Sequence, residues 1–405
     1  MAFANCETVS ETASVSASDT DDDIRVNTDI GPYCSNDICA AGPKYAPDPA
    51  LMGPFTVGVK TVVLETTDHA GKPRQLRTEI WYPGVPGTGE IKKYVYDIKA
   101  DAKAELPAAY EKIKDATTSL LFESDAHVGM DPDIEHGPYP LVVFSHGAYG
   151  IRYQSIFFTV YLASHGYIVV APDHQNNTLY DLLTDGYDQG KLAETAVDRM
   201  KDGDFVIDYF LKENDDPKSF LAGAIDANNI GFCGHSFGAF LALYEGGLNP
   251  KVKAVLPFAP ETDPLPVFKV TPQSFPVPFM IQAGKMDQTL DYETQTGEFY
   301  KKGATPKFLV ALTRGGHFSY SDICQMDLAA LAKEINYTDG IDALSDGCAP
   351  ENIPYEQAHI IIRHYGIAFF NYYLRGSKDS RKYLDRSSAT QYGNEVDYEF
   401  DMGTP

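Results

Sequence analysis

Ile230-Gly231-Phe232-Cys233-Gly234-His235-Ser236-Phe237-Gly238-Ala239 is the stretch on which the reading of this chain turns. Apolar residues run into Gly-His-Ser-Phe-Gly, and a small, apolar segment (Ala239 to Tyr244) follows. That order predicts a strand, a sharp turn and a helix. Gly234 and Gly238 flank Ser236 at the spacing G-x-S-x-G, and the tight turn explains why. A serine lifted out of such a turn sits in strained backbone, and side chains at the flanking positions would collide with the neighbouring strand and helix. The turn also aims the backbone N–H of Phe237 and the positive end of the new helix at any oxyanion forming near Ser236. A glycine-rich turn can hold a serine by chance. The strand-turn-helix context is what favours chemistry.

Working outward, short apolar segments alternate with helical patterns. LVVFSHG at 141–147 predicts a strand ending in a glycine turn. A helix is expected over 155–164, a strand over 167–173 and a long helix over 191–212. Three more strands are expected at 252–260, 278–285 and 307–313, and a last helix at 358–374. Short apolar strands between helices predict an α/β fold with a mostly parallel sheet and helices on both faces. Val57 to Leu64 and Leu76 to Tyr82 predict an antiparallel pair at its start. Residues 91–135 interrupt this rhythm. They read as a helical insertion broken at Pro107 and a candidate lid. Residues 1–50 read as a polar segment, 51–375 as the catalytic domain and 376–405 as a polar tail.

Ligands of such sheets bind beyond the carboxyl ends of the strands. The candidate residues are therefore those just after the strands. Met286-Asp287 follows one and Arg314-Gly315-Gly316-His317 the next. A serine hydroxyl is a weak nucleophile at neutral pH, so His317 is expected to take its proton and pass it to the leaving group. Asp287 is expected to hold the imidazole in one tautomer. Glu261 and Asp263, after the preceding strand, are the alternative acids. The N–H of Phe237 and that of Ala148 are the expected oxyanion donors, with Tyr149 as the alternative to Ala148. His146 is expected to be a structural hydrogen-bonder. Arg199 and Asp202, three apart on a helix, are expected to pair with each other or, with His174, to brace the site.

The chain has 405 residues, 43% of them hydrophobic, and a formal net charge of −24. That charge repels phosphates and argues against nucleic acid or an anionic membrane surface as partner. No apolar run is long enough to span a membrane. Asp19 to Asp23 reads as a solvated acidic tract. Six cysteines are present. Cys34–Cys39 and Cys324–Cys348 each bracket irregular sequence and are expected to be disulfides, with Cys233 and Cys6 unpaired. This implies an oxidising, extracytoplasmic location. Cys6 ahead of a polar tether would also suit a lipid-modified N-terminus. No metal-ligand motif such as H-E-x-x-H occurs, and no metal or cofactor is expected.

FSHG, LASHGYIVVAPDH, DRMKDGDFVIDYF, GHSFGA, AGKMD and GGHF together resemble the dienelactone-hydrolase-like branch of the α/β-hydrolases. Within it the chain is similar to the platelet-activating-factor acetylhydrolases and the bacterial cutinase-like polyester hydrolases. The resemblance covers roughly residues 55–375. It implies an eight-stranded sheet, a serine carboxylic-ester hydrolase and no cofactor. It matches Ser236, Asp287 and His317 to the triad, and Phe237 and Ala148 to the oxyanion donors. Two departures bear on substrate. Such polyester hydrolases often place an aromatic after the oxyanion glycine, where this chain has Ala148. They often place a tryptophan after the strand at 252–260, where it has Glu261. With the 91–135 insertion, these imply a covered pocket and a small or medium, or more polar, ester. Polyester, phospholipid-acetyl, amide and lactone substrates, or a catalytically silent binding protein, are the competing expectations.

Overall fold

The computed structural model describes residues 47–90, 92–337 and 345–403. The expectations for Cys6, for Cys34 and Cys39 and for the acidic run lie outside them. Packing begins ahead of the first strand, where the Arg363 side chain donates to the carbonyl of Ala50 at 3.1 Å.

Strands β1 (Thr56–Thr67) and β2 (Pro73–Gly84) form the antiparallel pair. Then come β3 (Lys93–Asp97), α1 (Ile98–Glu105), α2 (Pro107–Ile113) and β4 (Leu121–Val128). The α/β alternation follows: β5 (Tyr139–Ser145), α3 (Ile156–Ser164), β6 (Ile168–Pro172), α4 (Leu179–Asp185) and α5 (Leu192–Asp215). It continues through β7 (Ile225–His235), α6 (Phe237–Leu248), β8 (Val252–Phe258), β9 (Phe279–Gly284), α7 (Glu298–Lys302) and β10 (Lys307–Leu312). Last are α8 (Leu328–Glu334), α9 (Tyr355–Tyr373) and β11 (Val396–Asp401).

All strands join one sheet in the order β11-β10-β9-β8-β7-β5-β6-β2-β1-β4-β3. The pairs from β6 through β5, β7, β8 and β9 to β10 are parallel. Successive side chains of these strands serve opposite faces. Leu141 and Val143 join a cluster with Val206, Phe210 and Phe240 of α5 and α6. Val142 and Phe144 join another with Phe158, Ile361 and Phe369 of α3 and α9. A strand buried on both sides must be apolar throughout, which is why β5, β6 and β9 carry no charge.

Three expectations need correction. The eight-stranded sheet is present as the inner part, β1, β2 and β5 to β10, but among the described residues the sheet has eleven strands. The 91–135 insertion is not simply helical, because β3 and β4 extend the sheet beyond β1. Residues 376–405 are not simply a tail, because β11 pairs antiparallel with β10. Both additions sit at an edge with one face half-exposed. Their apolar residues therefore alternate with polar ones and read weakly as strand. Pro107 does break the helix, opening α2 after α1. Among the described residues no helix is long and apolar enough to cross a membrane.

Candidate active site

The turn between β7 and α6 has the strain that its sequence predicts. Ser236 sits at φ 56°, ψ −116°. A Cβ at Gly234 would stand 2.4 Å from the Gly238 carbonyl oxygen, and one at Gly238 would stand 1.9 Å from the Ser145 carbonyl oxygen. Only hydrogen fits at either position, so the backbones of β5, β7 and α6 close round the serine.

Ser236, His317 and Asp287 are brought together. His317 Nε2 lies 2.9 Å from Ser236 Oγ, and its Nδ1 lies 2.8 Å from Asp287 Oδ2. The carboxylate can only accept, so Nδ1 carries the proton and Nε2 is left to accept from the serine hydroxyl. Asp287 Oδ1 accepts from the backbone N–H of Thr289 at 2.9 Å and of Leu290 at 2.7 Å, which fixes the carboxylate plane. Both His317 and Asp287 side chains are 3% exposed. The alternative acids lie elsewhere. Glu261 is on the cavity wall, where burial and then Asp263 push its carboxyl up, and Asp263 accepts from the Gln295 side chain at 2.7 Å.

The two expected oxyanion donors face the same cavity. Phe237 is the first residue of α6, so its N–H has no carbonyl within the helix to meet. Ala148 lines the cavity beside Gly147, and a Cβ at Gly147 would stand 3.5 Å from Ser236 Cβ. Tyr149 next to it holds φ 55°, an uncommon value for a bulky residue, and its hydroxyl accepts from the Asp188 N–H.

His146 is structural, as expected. Its Nε2 accepts from the backbone N–H of His174 at 3.0 Å, and its Nδ1 lies 2.7 Å from the Gly147 carbonyl. Arg199 and Asp202 do not pair with each other. Arg199 donates to the carbonyls of His146 (2.6 Å) and Gly147 (2.9 Å) and to Asn177, and its guanidinium lies 4.7 Å from the Phe237 ring centroid. Asp202 instead takes Arg74 at 2.8 Å and His174 Nδ1 at 2.9 Å. Residues three apart on a helix are within reach of each other, but here the carbonyls of His146 and Gly147 take Arg199 and the Arg74 guanidinium takes Asp202. Burial, and then the Arg199 charge, hold both His146 and His174 well below the usual imidazole range.

Three features were missed by motif reading. Gln154 Oε1 accepts from the Gly147 N–H at 3.0 Å, and its Nε2 lies 3.1 Å from His235 Nδ1. His235 Nε2 in turn lies 2.8 Å from the His317 carbonyl. One relay of hydrogen bonds thus ties the oxyanion loop to the serine strand and to the loop of the base. Burial, and then His317, keep His235 well below the usual imidazole range, so it remains the neutral donor-acceptor that this relay requires. Asp346 is the second feature. Its Oδ1 accepts from the His317 N–H at 3.1 Å. Its Oδ2 accepts from the N–H groups of Gln288 (2.9 Å) and Thr289 (3.0 Å) and from the Thr289 hydroxyl (2.8 Å). It bridges the acid loop and the base loop. The Cys324–Cys348 disulfide, with Cα atoms 5.1 Å apart, anchors the segment carrying Asp346, and Cys233 is buried and unpaired, both as expected. The third is Arg152, whose buried guanidinium meets Glu79 (3.0 Å), Asp101 (2.7 Å), Glu105 (2.9 Å) and Asp173 (2.7 Å). It clamps α1 of the insertion to the sheet.

The arrangement brings a serine hydroxyl, an imidazole within hydrogen-bond reach of it and two candidate oxyanion donors to one cavity, with a fixed carboxylate behind the imidazole. That is the equipment of acyl transfer. A family model for platelet-activating factor acetylhydrolase, isoform II, matches residues 44–184, and one for the dienelactone hydrolase family matches residues 126–308. Cutinase est1 of Thermobifida alba is 25% identical over 187 residues, which is 46% of this chain and 55% of the cutinase. The chain thus spans about half the length of that relative. The solved structure of a ferulic acid esterase from Streptomyces cinnamoneus superposes with a TM-score of 0.62 at 23% identity, covering 85% of this chain and 96% of that one. Fold, motif order and matched family models agree: the chain has the α/β-hydrolase fold, and parts of it are similar to the platelet-activating factor acetylhydrolase and dienelactone hydrolase families and to a cutinase.

Proposed function

We propose that this chain is a serine carboxylic-ester hydrolase working through Ser236, His317 and Asp287. The observation that carries this reading is the continuous hydrogen-bonded chain from Ser236 Oγ through His317 to Asp287. Ser236 Oγ attacks the ester carbonyl carbon while its proton passes to His317 Nε2. The oxyanion accepts from the N–H groups of Phe237 and Ala148. As the carbon–oxygen bond to the alcohol breaks, His317 returns the proton to the departing oxygen. Water then attacks the acyl-enzyme, with His317 taking its proton and passing it to Ser236 Oγ as the acyl–oxygen bond breaks, and the carboxylic acid leaves. Asp287 holds the tautomer and stabilises the imidazolium throughout. No step calls for a metal or cofactor. Ile98 and Phe122 of residues 91–135 line the cavity, which favours single small or medium esters over a polymer strand. The disulfide supports an oxidising, extracytoplasmic location.

A fluorophosphonate probe together with hydrolysis of p-nitrophenyl acetate tests this reading. The expected result is labelling at Ser236 and a loss in kcat on the order of 10⁴-fold or more in Ser236→Ala and in His317→Ala, with the double variant little worse than either. Additive losses, or hydrolysis that survives Ser236→Ala, would overturn it.

A further inference from the structure

The space in front of Ser236 extends well past the reacting atoms. The cavity there has a volume of about 630 Å³. Away from the serine its wall is made by Ile98, Leu179, Leu182, Ile323, Met326 and Tyr337, which come from α1, α4 and the chain after His317. The same six side chains wall a second cavity of about 70 Å³. Its remaining lining, from Ile113 and Leu120 of the insertion to Leu183 and Ala332, is entirely apolar, and among the described residues no charged side chain lines it. Apolar side chains facing such a space forgo contacts there, so an unconstrained core tends to close it. This one lies against the catalytic cavity, where a substrate can fill it during turnover. Its walls are also fixed. Ile98 begins the helix that Asp101 and Glu105 clamp to Arg152, and Ile323 adjoins the Cys324–Cys348 disulfide.

We propose that the inner cavity is a subsite for an extended, uncharged hydrocarbon chain carried by the ester. This rests on the ester-hydrolase reading of Ser236 and deepens it by naming the substrate class. A charged or strongly polar chain would lose its hydration here without gaining a charged partner. A hydrocarbon chain exchanges water for apolar contact, worth roughly fourfold in binding per fully buried methylene. Among the esters implied by the sequence, this favours a medium-length apolar chain over a more polar one. The chain can belong to the acyl or to the alcohol side, and the two sources are separated by experiment.

Two ester series provide the test. One holds p-nitrophenol constant and lengthens the acyl group from acetate through butyrate and octanoate to palmitate. The other holds acetate constant and lengthens a linear alcohol over the same range. In one of them kcat/KM is expected to rise on the order of tenfold or more from the shortest member to the octyl member, and that series identifies the side. Ala332→Phe, which places a ring in the inner cavity, is expected to lower the octyl-to-shortest ratio by roughly fivefold or more. Fluorophosphonate labelling of Ser236 reports whether that variant is folded. If it is not, Ile113→Ala, which enlarges the same cavity, is expected to move the optimum to longer chains. Two flat or falling series with short esters still hydrolysed, or a folded variant with an unchanged ratio, would overturn the subsite while leaving the ester-hydrolase reading intact. Absence of all hydrolysis with Ser236 unlabelled would overturn that underlying reading.

Discussion

Around Arg152, four carboxylates crowd one buried guanidinium, with Arg77 at the margin. Around His317, Asp287 and Asp346 are held by backbone N–H groups and the Thr289 hydroxyl, with no Lys or Arg ion pair among the described residues. The residue types are the same and the tasks differ. A guanidinium against Asp287 would draw its charge away from the imidazole. Backbone amides orient the carboxylate as firmly while adding no net charge, so its field stays available to an imidazolium at His317. At Arg152 nothing needs to react. There an excess of acid over base fastens an inserted helix to the sheet, and it does so by keeping protons. Burial, and then Asp173, push Glu105 up to about 8. Glu79 and Asp173 are pushed up too, chiefly by burial and against the pull of Arg152.

The comparison can be broken at its strongest point first. Asp287→Asn is expected to cut kcat on the order of 10⁴-fold, because the amide favours the wrong histidine tautomer. Glu261→Gln is expected to leave kcat near the parent value, and steady-state kinetics on a short ester reads both. The reverse ranking would move the acid to the neighbouring strand. Next comes Asp346→Asn, which replaces an acceptor facing the N–H groups of His317, Gln288 or Thr289 with a donor. Displacing the base by ~1 Å costs on the order of 10²-fold in rate. The loss is expected in kcat with KM little changed, since Asp346 does not line the cavity. A rise in KM alone would show that its role is in binding and not in positioning.

The smallest effect sharpens the Arg152 side. Glu105 titrates near 8 in the folded chain against an ordinary value of 4.5. The folded state therefore holds the proton more tightly than the unfolded one. Its contribution to stability is complete below about 4.5 and drains away as pH rises through about 8. Glu105→Gln mimics the protonated form. Its Tm is expected to fall less steeply than the parent's across that window, as followed by thermal melts at graded pH. Glu245 and Asp322, raised by burial to about 8 and about 7, keep some of the slope. A parent Tm that rises with pH there would refute the assignment.

The sequence shows clearly whatever depends on local spacing or on burial of both faces of a strand. The inner strands are uninterrupted apolar runs, and the Ser236 turn carries glycines wherever backbone meets backbone. His317 and Asp287 can be found because the parallel topology sends strand ends to one place. Asp346 cannot be found this way. It acts 29 residues from His317 through backbone amides, a partnership that asks for no partner residue type. Gln154 and Arg152 are hidden for a related reason, since a buried polar side chain looks like any surface residue until its acceptors are placed. The edge strands were missed because half-exposure thins the pattern. Val396, Tyr398 and Phe400 do alternate with Asp397, Glu399 and Asp401, but three acids in six residues read as solvated tail.

Those acids have a further consequence. Strand β10 would otherwise end the sheet, with Phe308 and Val310 buried beside an open row of amides and carbonyls. An apolar strand left open in this way is a template for a neighbouring molecule. β11 covers it with a strand whose Asp397, Glu399 and Asp401 are exposed. A second copy approaching that border meets charge of its own sign, so the last strand also guards the protein against edge-to-edge aggregation.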